Sequence, residues 1–460
     1  MLNIIHQIVS EELENIEKEF IKVIEQQGDF SEFTTALEKR LKKVGSRICK
    51  TFLEELNKTV KEDPQRKEKW QVERKADKNT LVTVFGEVEY KRTYYVSKDE
   101  KEYKYLSDEM VGIKPHQRVE TLVESRMIEE AIDVSYQKSA EPYDISKQKV
   151  MESIRGLEDI KIEIPEKEEK RVVEYLYIEA DEDHVSLQEG GTVSPKLIYI
   201  HEGYEQIEGK DSRRRLKNVF YISGIYKGSE EIWNEVYEYI SKTYDIEKIK
   251  RIYISGDGAS WIKSGVEYIE KGVFVLDRYH INKYVLKATG HVPGLKFELW
   301  DAINRCDKKA VKNVLKEALS CADSSSRTES ILTCKKYLLN SWDGIKIYET
   351  DGKNIIGCSA EGHISHVLSA RLSSRPLGWS REGADKMARL RAFKWNGGNV
   401  YELVLKNKKK ERIKLSERYI KEIKKNLKSN IADINVEIPV IRYGKRNASY
   451  IAINALRYAW

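Results

Sequence analysis

Residues 172–187 read Val-Val-Glu-Tyr-Leu-Tyr-Ile-Glu-Ala-Asp-Glu-Asp-His-Val-Ser-Leu. The run 172–180 is rich in β-branched and aromatic residues, which predicts a strand buried on at least one face. Three acids follow at once, Asp181, Glu182 and Asp183. A carboxylate at the end of a buried strand is costly unless a positive charge lies against it, so this segment suggests a functional site. The alternative is a strand that ends in a solvated acidic turn.

Two later segments repeat the pattern of a short apolar strand that ends in an aspartate. Residues 250–258, Lys-Arg-Ile-Tyr-Ile-Ser-Gly-Asp-Gly, hold Asp257 between two glycines, which permit a tight turn just after the strand. Residues 273–276, Val-Phe-Val-Leu, lead into Asp277 and a helical pattern. Several strands that end in Asp along one edge predict a site at the strand ends of an α/β sheet.

The order of elements predicts an α/β protein with a ribonuclease-H-like catalytic domain over residues 166–400. Three strands come first, at 172–180, 196–201 and 219–226. Helices and strands then alternate. In such a fold the first and fourth strands are neighbours, so Asp181 and Asp257 should lie close together. Carboxylates that close repel unless a divalent cation lies between them, and oxygen ligands suit Mg²⁺ or Mn²⁺.

A two-metal site of this kind acts on phosphodiesters and usually includes a third carboxylate from a helix. An all-helical insertion is predicted at about 290–350, and Glu361 follows it. On a helix, Glu361 shares a face with Ser365 and Leu368. Glu361 is therefore the candidate third carboxylate.

Zinc is the competing interpretation of the same segment, with Glu361, His363 and His366 as ligands. The H-x-x-H spacing places the histidines about one turn apart and supplies no nearby cysteine pair, which disfavours zinc. Cys358 is interpreted as a small buried residue rather than a nucleophile.

Residues 1–165 are predicted to be mostly helical, with two N-terminal helices in 1–62 and a β-hairpin around Gly86. The region 63–165 also contains a helix, a short helix, a turn and a helix capped at Ser146, which is the outline of a helix-turn-helix. Lys147 and Lys149 point outward from that last helix and are candidate DNA contacts. Helical outlines of this kind are common, so a purely structural role is the alternative.

The C-terminal part of the chain is basic. The formal net charge is +6, yet Arg381 to Trp460 hold 20 Lys/Arg against 8 Asp/Glu. Basic residues interleaved with aromatic ones favour a polyanion-binding surface, here residues 401–460, although a solvated lysine-rich helix face is the alternative. The candidate DNA contacts that precede it are Arg371, Arg375, Trp379 and Arg381.

Composition excludes several classes of protein. The five cysteines include no C-x-x-C pair, which disfavours a disulfide framework or a zinc ribbon and suits a reducing compartment. The sequence contains no run of 18 apolar residues and no secretory signal pattern. We therefore expect a cytoplasmic protein without a membrane partner.

Four segments carry a resemblance to a known family. They are I-E-A-D-E-D-H-V (178–185), I-S-G-D-G-A-S-W-I (254–262), L-D-R-Y-H-I-N-K-Y (276–284) and C-S-A-E-G-H-I-S-H-V-L-S-x-R-L-S-S-R-P-L-G-W-S (358–380). In this order they resemble a bacterial family long classed as uncharacterised and now placed among insertion-sequence DDE transposases of the ISLre type. Mutator-like transposases are more distant relatives. The resemblance extends over essentially the whole chain.

The resemblance implies Asp181, Asp257 and Glu361 as the metal-binding triad. It also implies residues 277–280 as the counterpart of the C/D-x-x-H motif of mutator-like enzymes. One departure is that the first motif commonly reads D-G, whereas here it reads Asp-Glu-Asp. Since alternate residues of a strand point to the same side, Asp183 is an alternative first ligand.

The pair Asp277 and His280 has two interpretations. Asp277 is well placed to cap the helix that follows, which is a structural role. Alternatively, His280 lies beside the carboxylates as a cation that orients DNA or the scissile phosphate.

The sequence therefore predicts a Mg²⁺-dependent transposase that hydrolyses phosphodiesters and transfers strands at its element's terminal inverted repeats. Its partners are double-stranded DNA, both element ends and target, and further copies of itself on DNA. The competing hypotheses are a ribonuclease-H-fold nuclease without strand transfer and a catalytically silent DNA-binding protein.

Overall fold

The computed structural model describes residues 2–26, 28–99, 101–165, 169–206, 214–375, 377–408 and 420–421. The described residues form two compact units, one that includes 2–123 and one of Glu124–Asn407. The predicted basic region 401–460 lies mostly outside the described residues. Among the described helices, none has both the length and the apolar character that a membrane crossing requires.

The first unit opens with a long helical hairpin. Its described elements are α1 (Leu2–Glu25), α2 (Phe30–Glu62), α3 (Pro64–Lys69), β1 (Trp70–Thr83), β2 (Gly86–Ser97), β3 (Tyr103–Lys104) and α4 (Leu106–Met110). Asp29 caps α2 by accepting a hydrogen bond from the Ser31 N–H at 2.8 Å. The two predicted N-terminal helices and the break between them are confirmed.

The predicted β-hairpin is also confirmed. Strands β1 and β2 pair antiparallel with Thr83 opposite Gly86, and Gly86 has a φ of +98°, which glycine adopts without strain. Leu81, Val88 and Tyr90 bury their side chains against Leu53 of α2. The hairpin is therefore held by packing on a helix.

The second unit is a mixed α/β structure. After α5 (Thr121–Ala131), which spans the boundary, its helices are α6 (Tyr136–Ala140), α7 (Lys147–Arg155), α8 (Ser229–Thr243), α9 (Ser260–Lys263), α10 (Gly265–Tyr268), α11 (Arg278–Thr289), α12 (Leu295–Asn304), α13 (Lys308–Ser320), α14 (Ser325–Asn340), α15 (Trp342–Asp351), α16 (Ala360–His363), α17 (Ala370–Leu372), α18 (Arg381–Trp395) and α19 (Val400–Lys408). Its strands are β4 (Tyr175–Glu182), β5 (Val185–Ser186), β6 (Thr192–Val193), β7 (Lys196–His201), β8 (Tyr204–Gln206), β9 (Arg214–Leu216), β10 (Phe220–Gly224), β11 (Arg251–Gly256) and β12 (Gly272–Leu276).

Five of these strands form one sheet in the order β10-β7-β4-β11-β12. Strands β10, β7 and β4 pair antiparallel, whereas β11 lies parallel to both β4 and β12. Glu179 of β4 lies opposite Ser255 of β11 and Tyr199 of β7. The first predicted strand and the strand 251–256 are thus neighbours, as their order along the chain predicts.

The two faces of this sheet differ in chemistry because side chains alternate along each strand. One face is apolar and carries Leu176, Ile178 and Ala180 of β4, which pack with α8 in a buried cluster. The opposite face of β4 carries Tyr177, Glu179 and Asp181. The apolar face holds the domain together, and the polar face is available for chemistry.

Helices α11 to α15 form a separate buried cluster around residues such as Leu299, Leu315 and Leu338. The all-helical insertion predicted at about 290–350 corresponds to α12–α15. Phe274 and Leu276 of β12 contact this cluster, so the insertion packs against the end of the sheet that bears Asp277.

Residues 124–165 belong to the second unit, although the sequence suggested a boundary near 165. Buried Arg371 and Arg391 donate hydrogen bonds to backbone carbonyls of this segment, at 2.9 Å to Ala131 and 3.1 Å to Ile132. The predicted cap of α7 is present, since the Ser146 Oγ accepts from the Lys149 N–H at 3.3 Å.

Candidate active site

Asp181 lies at the carboxyl end of β4, in the centre of the five-stranded sheet. Its side chain is partly buried, and its Oδ1 accepts a hydrogen bond from the Glu182 N–H at 2.8 Å. The antiparallel partner of Asp181 is Leu197 on β7, and β11 is the parallel neighbour of β4 on the other side. Asp181 is thus fixed by two neighbouring strands.

Asp257 follows β11 directly and lies in the turn that the flanking glycines allow. A Cβ on Gly256 would approach the Ala180 carbonyl oxygen to 2.8 Å, so only glycine lets β11 lie this close to β4. Gly258 has a φ of +93°, and the Asp257 Oδ1 accepts from the Ala259 N–H at 2.8 Å. The Gly-Asp-Gly sequence therefore sets the position of the carboxylate.

Asp277 and His280 lie where β12 passes into α11. The Asp277 Oδ1 accepts from the Tyr279 N–H at 3.0 Å, and its Oδ2 lies 2.8 Å from the His280 Nδ1. Asp277 is buried and His280 partly buried. The predicted helix cap is present, and the same carboxylate also holds the imidazole.

Glu361 is exposed and lies on the short helix α16, just before residues 364–369 form a π-helix. The prediction of one regular helix through Leu368 is therefore wrong, because the π segment changes which side chains share a face. Leu368 is buried, whereas Glu361 and Ser365 are exposed. Single-turn π segments inside helices are frequent at functional sites.

Asp181, His280 and Glu361 converge although they are far apart in sequence. One carboxylate oxygen of each acid and one ring nitrogen of His280 all lie within 4.8 Å of one another. Among the described residues, Asp257 is not part of this closest group, although its charge acts on Asp181. The site thus brings together residues from the end of β4, the start of α11 and α16.

The electrostatics of this site combine burial with neighbouring negative charge. Burial raises the pKa of Asp181 to about 6, and the charges of Asp257 and Glu361 add to the rise, while the Glu182 N–H and His280 oppose it. The hydrogen bond to Asp277 raises the pKa of His280, against the effect of burial, and the nearby aspartates add to it. Burial and the neighbouring carboxylates therefore both oppose ionisation of Asp181.

Asp183, the alternative first ligand, has a structural partner of its own. It is buried, and its two oxygens lie 2.9 and 2.8 Å from the Ser373 hydroxyl, which is the donor. Its Oδ1 also accepts from the His184 N–H. Asp183 ties the end of β4 to the segment after α17, whereas Asp181 joins the cluster.

The six candidate DNA contacts divide into two groups. Lys147, Arg375 and Arg381 are exposed, and Lys149 is partly exposed.

The prediction for Arg371 and Trp379 needs correction, because each is only 7% exposed. The Trp379 ring lies 4.8 Å from the Arg371 guanidinium, and its indole N–H donates to the Leu372 carbonyl at 3.0 Å. Both side chains serve packing within the unit and are not available to DNA in this structure.

The zinc interpretation does not match the geometry. The His363 Nδ1 lies 3.0 Å from the Tyr221 hydroxyl, and its ring stacks on Tyr199 at 4.1 Å. Among the described residues, Glu361 groups with Asp181 and His280 rather than with His363 and His366. Burial also raises the pKa of Cys358 well above its ordinary value, which agrees with its interpretation as an inert thiol.

Sequence reasoning gave no role to Glu179 and His201, which are both buried on the polar face of the sheet. A signal was present: Glu179 is a charged residue inside an apolar run and lies two positions before Asp181, hence on the same face. Its contacts with the segment that bears Glu361 become visible only in the folded chain.

Comparison with known proteins shows to which family the chain belongs. The model of an uncharacterised protein family, UPF0236, matches residues 24–410. The chain belongs to the UPF0236 family. A UPF0236 protein of Caldanaerobacter subterraneus subsp. tengcongensis is 46% identical over 469 residues, which cover 99% of each chain. Another from the same organism is 47% identical over 439 residues, 94% of this chain and 92% of the relative.

A more divergent relative is the UPF0236 protein in the vanSb 3′ region of Streptococcus gallolyticus. It is 28% identical over 357 residues, which cover 74% of this chain and 76% of the relative. The UPF0236 match includes all four segments that carry Asp181, Asp257, His280 and Glu361.

Proposed function

We propose that this UPF0236 protein is the DDE transposase of an insertion sequence. Its substrate is double-stranded DNA that carries the element's terminal inverted repeats. The reaction is hydrolysis of a phosphodiester, followed by direct attack of the freed 3′-hydroxyl on target DNA. The protein works as a homo-oligomer on DNA in the bacterial cytoplasm.

The observation that carries the proposal is the convergence of Asp181, His280 and Glu361 beside Asp257, at one end of the central strands. The strand order β10-β7-β4-β11-β12, with three antiparallel strands followed by two parallel ones, agrees with a ribonuclease-H-like domain. In that fold, carboxylates at the ends of the first and fourth strands bind metal ions.

The donor set fits Mg²⁺ or Mn²⁺, because hard divalent cations prefer carboxylate oxygens. Asp181, Asp257 and Glu361 would hold the metal ions, and the His280 ring lies beside Asp181 and Glu361. Bound there, two such ions activate a water or a 3′-hydroxyl and stabilise the leaving oxygen. The raised pKa of Asp181 supports this role, because a nearby cation would stabilise the ionised form of a buried carboxylate that has two other carboxylates near it.

Other side chains would orient and bind the DNA. Asp277 fixes the orientation of the His280 ring through Nδ1, so that Nε2 orients DNA or the scissile phosphate. Exposed Lys147 on α7 and exposed Arg375 and Arg381 neutralise DNA phosphates, which supplies sequence-independent affinity.

The relatives offer independent support. The name of one C. subterraneus protein joins eleven gene designations of that organism, and the name of another joins four. Many gene designations joined under one protein name agree with a mobile element, which leaves copies of itself in a genome. A nuclease with a cellular role gives no reason for such repetition.

The test uses the purified full chain, Mg²⁺ and DNA that contains an element end. We expect cleavage and joined products from the wild type, and neither from Asp257→Ala or Glu361→Ala, with DNA binding intact in both. Asp301→Ala is the matched control, because it removes an exposed carboxylate that pairs with Arg305 on α12. That variant should cleave normally.

Three results would contradict the proposal. Near-normal cleavage by either site variant in Mg²⁺ would exclude the triad. Cleavage without any joined product would favour a nuclease. DNA binding by the wild type without metal-dependent cleavage would favour a silent DNA-binding protein.

A further inference from the structure

Glu179 is a buried carboxylate on the polar face of the central strand, and it is 2% exposed. Its Oε1 lies 2.9 Å from the Nε2 of His201, a neighbour on β7 that is fully buried. Its Oε2 accepts from the Tyr199 hydroxyl and from the backbone N–H and the hydroxyl of Ser359. A buried charge is stable only when it is hydrogen-bonded in this way.

The contacts of His201 show which of its two ring nitrogens faces Glu179 as a donor. Its Nδ1 accepts from the Gly203 N–H at 3.2 Å, so the ring proton lies on Nε2 and is donated to Glu179. The Nε2 of His201 therefore serves as a fixed donor to Glu179. Glu179 is held from the β7 side by groups that are themselves fixed.

The bond to Ser359 connects Glu179 with a segment 180 residues later in the chain. Ser359 is the residue that precedes α16, and Glu361 comes two residues after it. The far end of α16 is fixed to the same sheet, because His363 bonds Tyr221 at 3.0 Å and stacks on Tyr199. Both ends of this single helical turn are thus tied to the polar face.

The Ser359 hydroxyl also lies 2.9 Å from the Tyr199 hydroxyl, and the remaining contacts of this segment with the polar face lie further from Glu361. The Tyr177 hydroxyl donates to the Asn354 carbonyl at 2.8 Å, and the Tyr253 hydroxyl lies 3.2 Å from Asp351. These are neutral or partly exposed contacts. The bond between Glu179 and the Ser359 N–H is charge-assisted, and such bonds are stronger than neutral ones.

We propose that Glu179 is a positioning residue, whose buried carboxylate fixes the Ser359 backbone and thereby places Glu361 beside Asp181 and His280. Glu361 is exposed and lies in the first turn of the continuous helical run 360–372, where contacts outside the helix are needed to fix the free N–H groups. The sheet supplies the rigidity through Glu179. This inference rests on the proposed function only in that Glu361 is taken as a metal ligand.

If Glu179 had only a structural role, its substitution would have different effects. Loss of its bonds would then lower stability without a specific effect on the Glu361 carboxylate. Groups that orient a ligand typically change metal affinity about 10- to 100-fold. Metal affinity in the presence and absence of Glu361 therefore separates the two roles.

The main variant is Glu179→Gln, which keeps the size of the side chain. Glutamine has one acceptor oxygen and one donor NH2, so it cannot accept from His201 on one side and from Ser359 on the other. Tyr177→Phe is the matched control, since it removes a sheet-to-segment hydrogen bond at Asn354 and keeps the ring. Ser359→Ala is a milder second variant, which removes the hydroxyl that lies 3.3 Å from the Glu179 Oε2 and 2.9 Å from the Tyr199 hydroxyl, and keeps the backbone bond.

The first measurement is Mn²⁺ binding to the full chain by calorimetry, with Mn²⁺ alone as the probe. Glu179→Gln should weaken binding about 10- to 100-fold, Ser359→Ala less, and Tyr177→Phe hardly at all. In a Glu361→Gln background, Glu179→Gln should have almost no further effect, because it acts through Glu361.

The second measurement is hydrogen exchange of residues 357–363 in metal-free protein. Glu179→Gln should speed exchange of these amides about tenfold or more and leave β4 and β11 protected. Unchanged exchange, or equal and additive losses of Mn²⁺ affinity with and without Glu361, would overturn the inference. A Glu179→Gln chain that does not fold would leave the decision to Ser359→Ala, whose affinity loss must also vanish without Glu361.

The same data distinguish this inference from the proposed function. A wild-type chain that binds Mn²⁺ through Glu361 and cuts no DNA would overturn the transposase proposal and leave the role of Glu179 intact. A wild-type chain whose Mn²⁺ affinity does not depend on Glu361 would overturn the role of Glu179.

Discussion

The carboxylate of Asp277 lies 2.8 Å from the His280 Nδ1, one helical turn further along α11. Its other oxygen accepts from the Tyr279 N–H and so caps the same helix. The structural and the functional interpretation of this pair therefore do not exclude each other. One buried carboxylate begins the helix and also fixes the proton of the imidazole on Nδ1, which leaves Nε2 for an outside partner.

This double role predicts the effect of Asp277→Asn. The amide oxygen can still cap α11, but the NH2 group cannot accept the Nδ1 proton, so His280 must change tautomer. We expect strand transfer to fall on the order of 10²-fold, the scale of a positioned acid–base or electrostatic group, with little change in melting temperature.

The matched control is Asp307→Asn, because Asp307 caps α13 through the Lys309 and Ala310 N–H groups. It should leave both activity and melting temperature nearly unchanged. If Asp277→Asn melted early yet kept its activity per folded molecule, the pair would be structural only.

The raised pKa of Asp181 predicts a stability cost in the metal-free protein. Its folded-state pKa of about 6 lies above the ordinary value of 3.8. The stabilising contribution of the neutral form is therefore present below about pH 4 and is lost as the pH rises through about 6. Asp181→Asn should stabilise the metal-free chain at pH 7.5 by about 1–3 kcal/mol, and much less at pH 4.5.

Urea unfolding with a chelator present measures this difference. Asp183→Asn is the matched control, because it removes the same charge two residues away. The Asp183 carboxylate, unlike that of Asp181, accepts a hydrogen bond from the Ser373 hydroxyl. That variant should be destabilised or unchanged. An Asp181→Asn chain less stable than the wild type at pH 7.5 would show that its carboxylate is not strained by its neighbours.

The packing of residues 124–165 predicts where the chain can be shortened. A fragment 124–408 retains the backbone carbonyls that accept hydrogen bonds from Arg371 and Arg391. A fragment that starts at 166 lacks those carbonyls and leaves the two buried guanidinium groups without these partners. Loss of the partner of a buried charge costs about 3–5 kcal/mol. We expect a cooperative thermal transition from the first fragment and none from the second. Equal melting temperatures would contradict this packing.

DNA affinity should depend on the exposed basic residues and not on the buried ones. Lys147→Ala should reduce the slope of log affinity against log salt by about 0.9, the value for one phosphate contact. Lys312→Ala, an exposed change on α13, should leave the slope unchanged. Arg371→Ala should lower the melting temperature instead. An unchanged slope for Lys147→Ala would place the DNA contacts elsewhere.

Several parts of the site followed from local sequence. Gly256 and Gly258 predicted the turn at Asp257, because tight backbone approach and positive φ exclude most other residues. Asp277 and Ser146 predicted helix caps, since a cap needs only a short polar side chain beside the first free N–H groups. Alternating apolar residues predicted the strands. Each of these signals acts within a few residues.

Other features depend on contacts between distant parts of the chain. The sequence could not choose between Asp181 and Asp183, because both lie at the end of one strand. In the folded chain Asp183 accepts from the Ser373 hydroxyl, whereas Asp181 groups with His280 and Glu361. Arg371 and Trp379 were predicted to contact DNA because basic and aromatic residues are typical of DNA-binding surfaces. Their burial became evident only from the packing of α5 and α17.

The sequence by itself determined where strands, turns and caps begin, because those choices depend on the intrinsic preferences of neighbouring residues. The tertiary structure decided which polar groups are buried and which meet. Glu179 and Ser359 are 180 residues apart, and a carboxylate can be buried only where folding brings enough donors around it. In the local sequence, the only sign of that requirement is one acidic residue within an apolar strand.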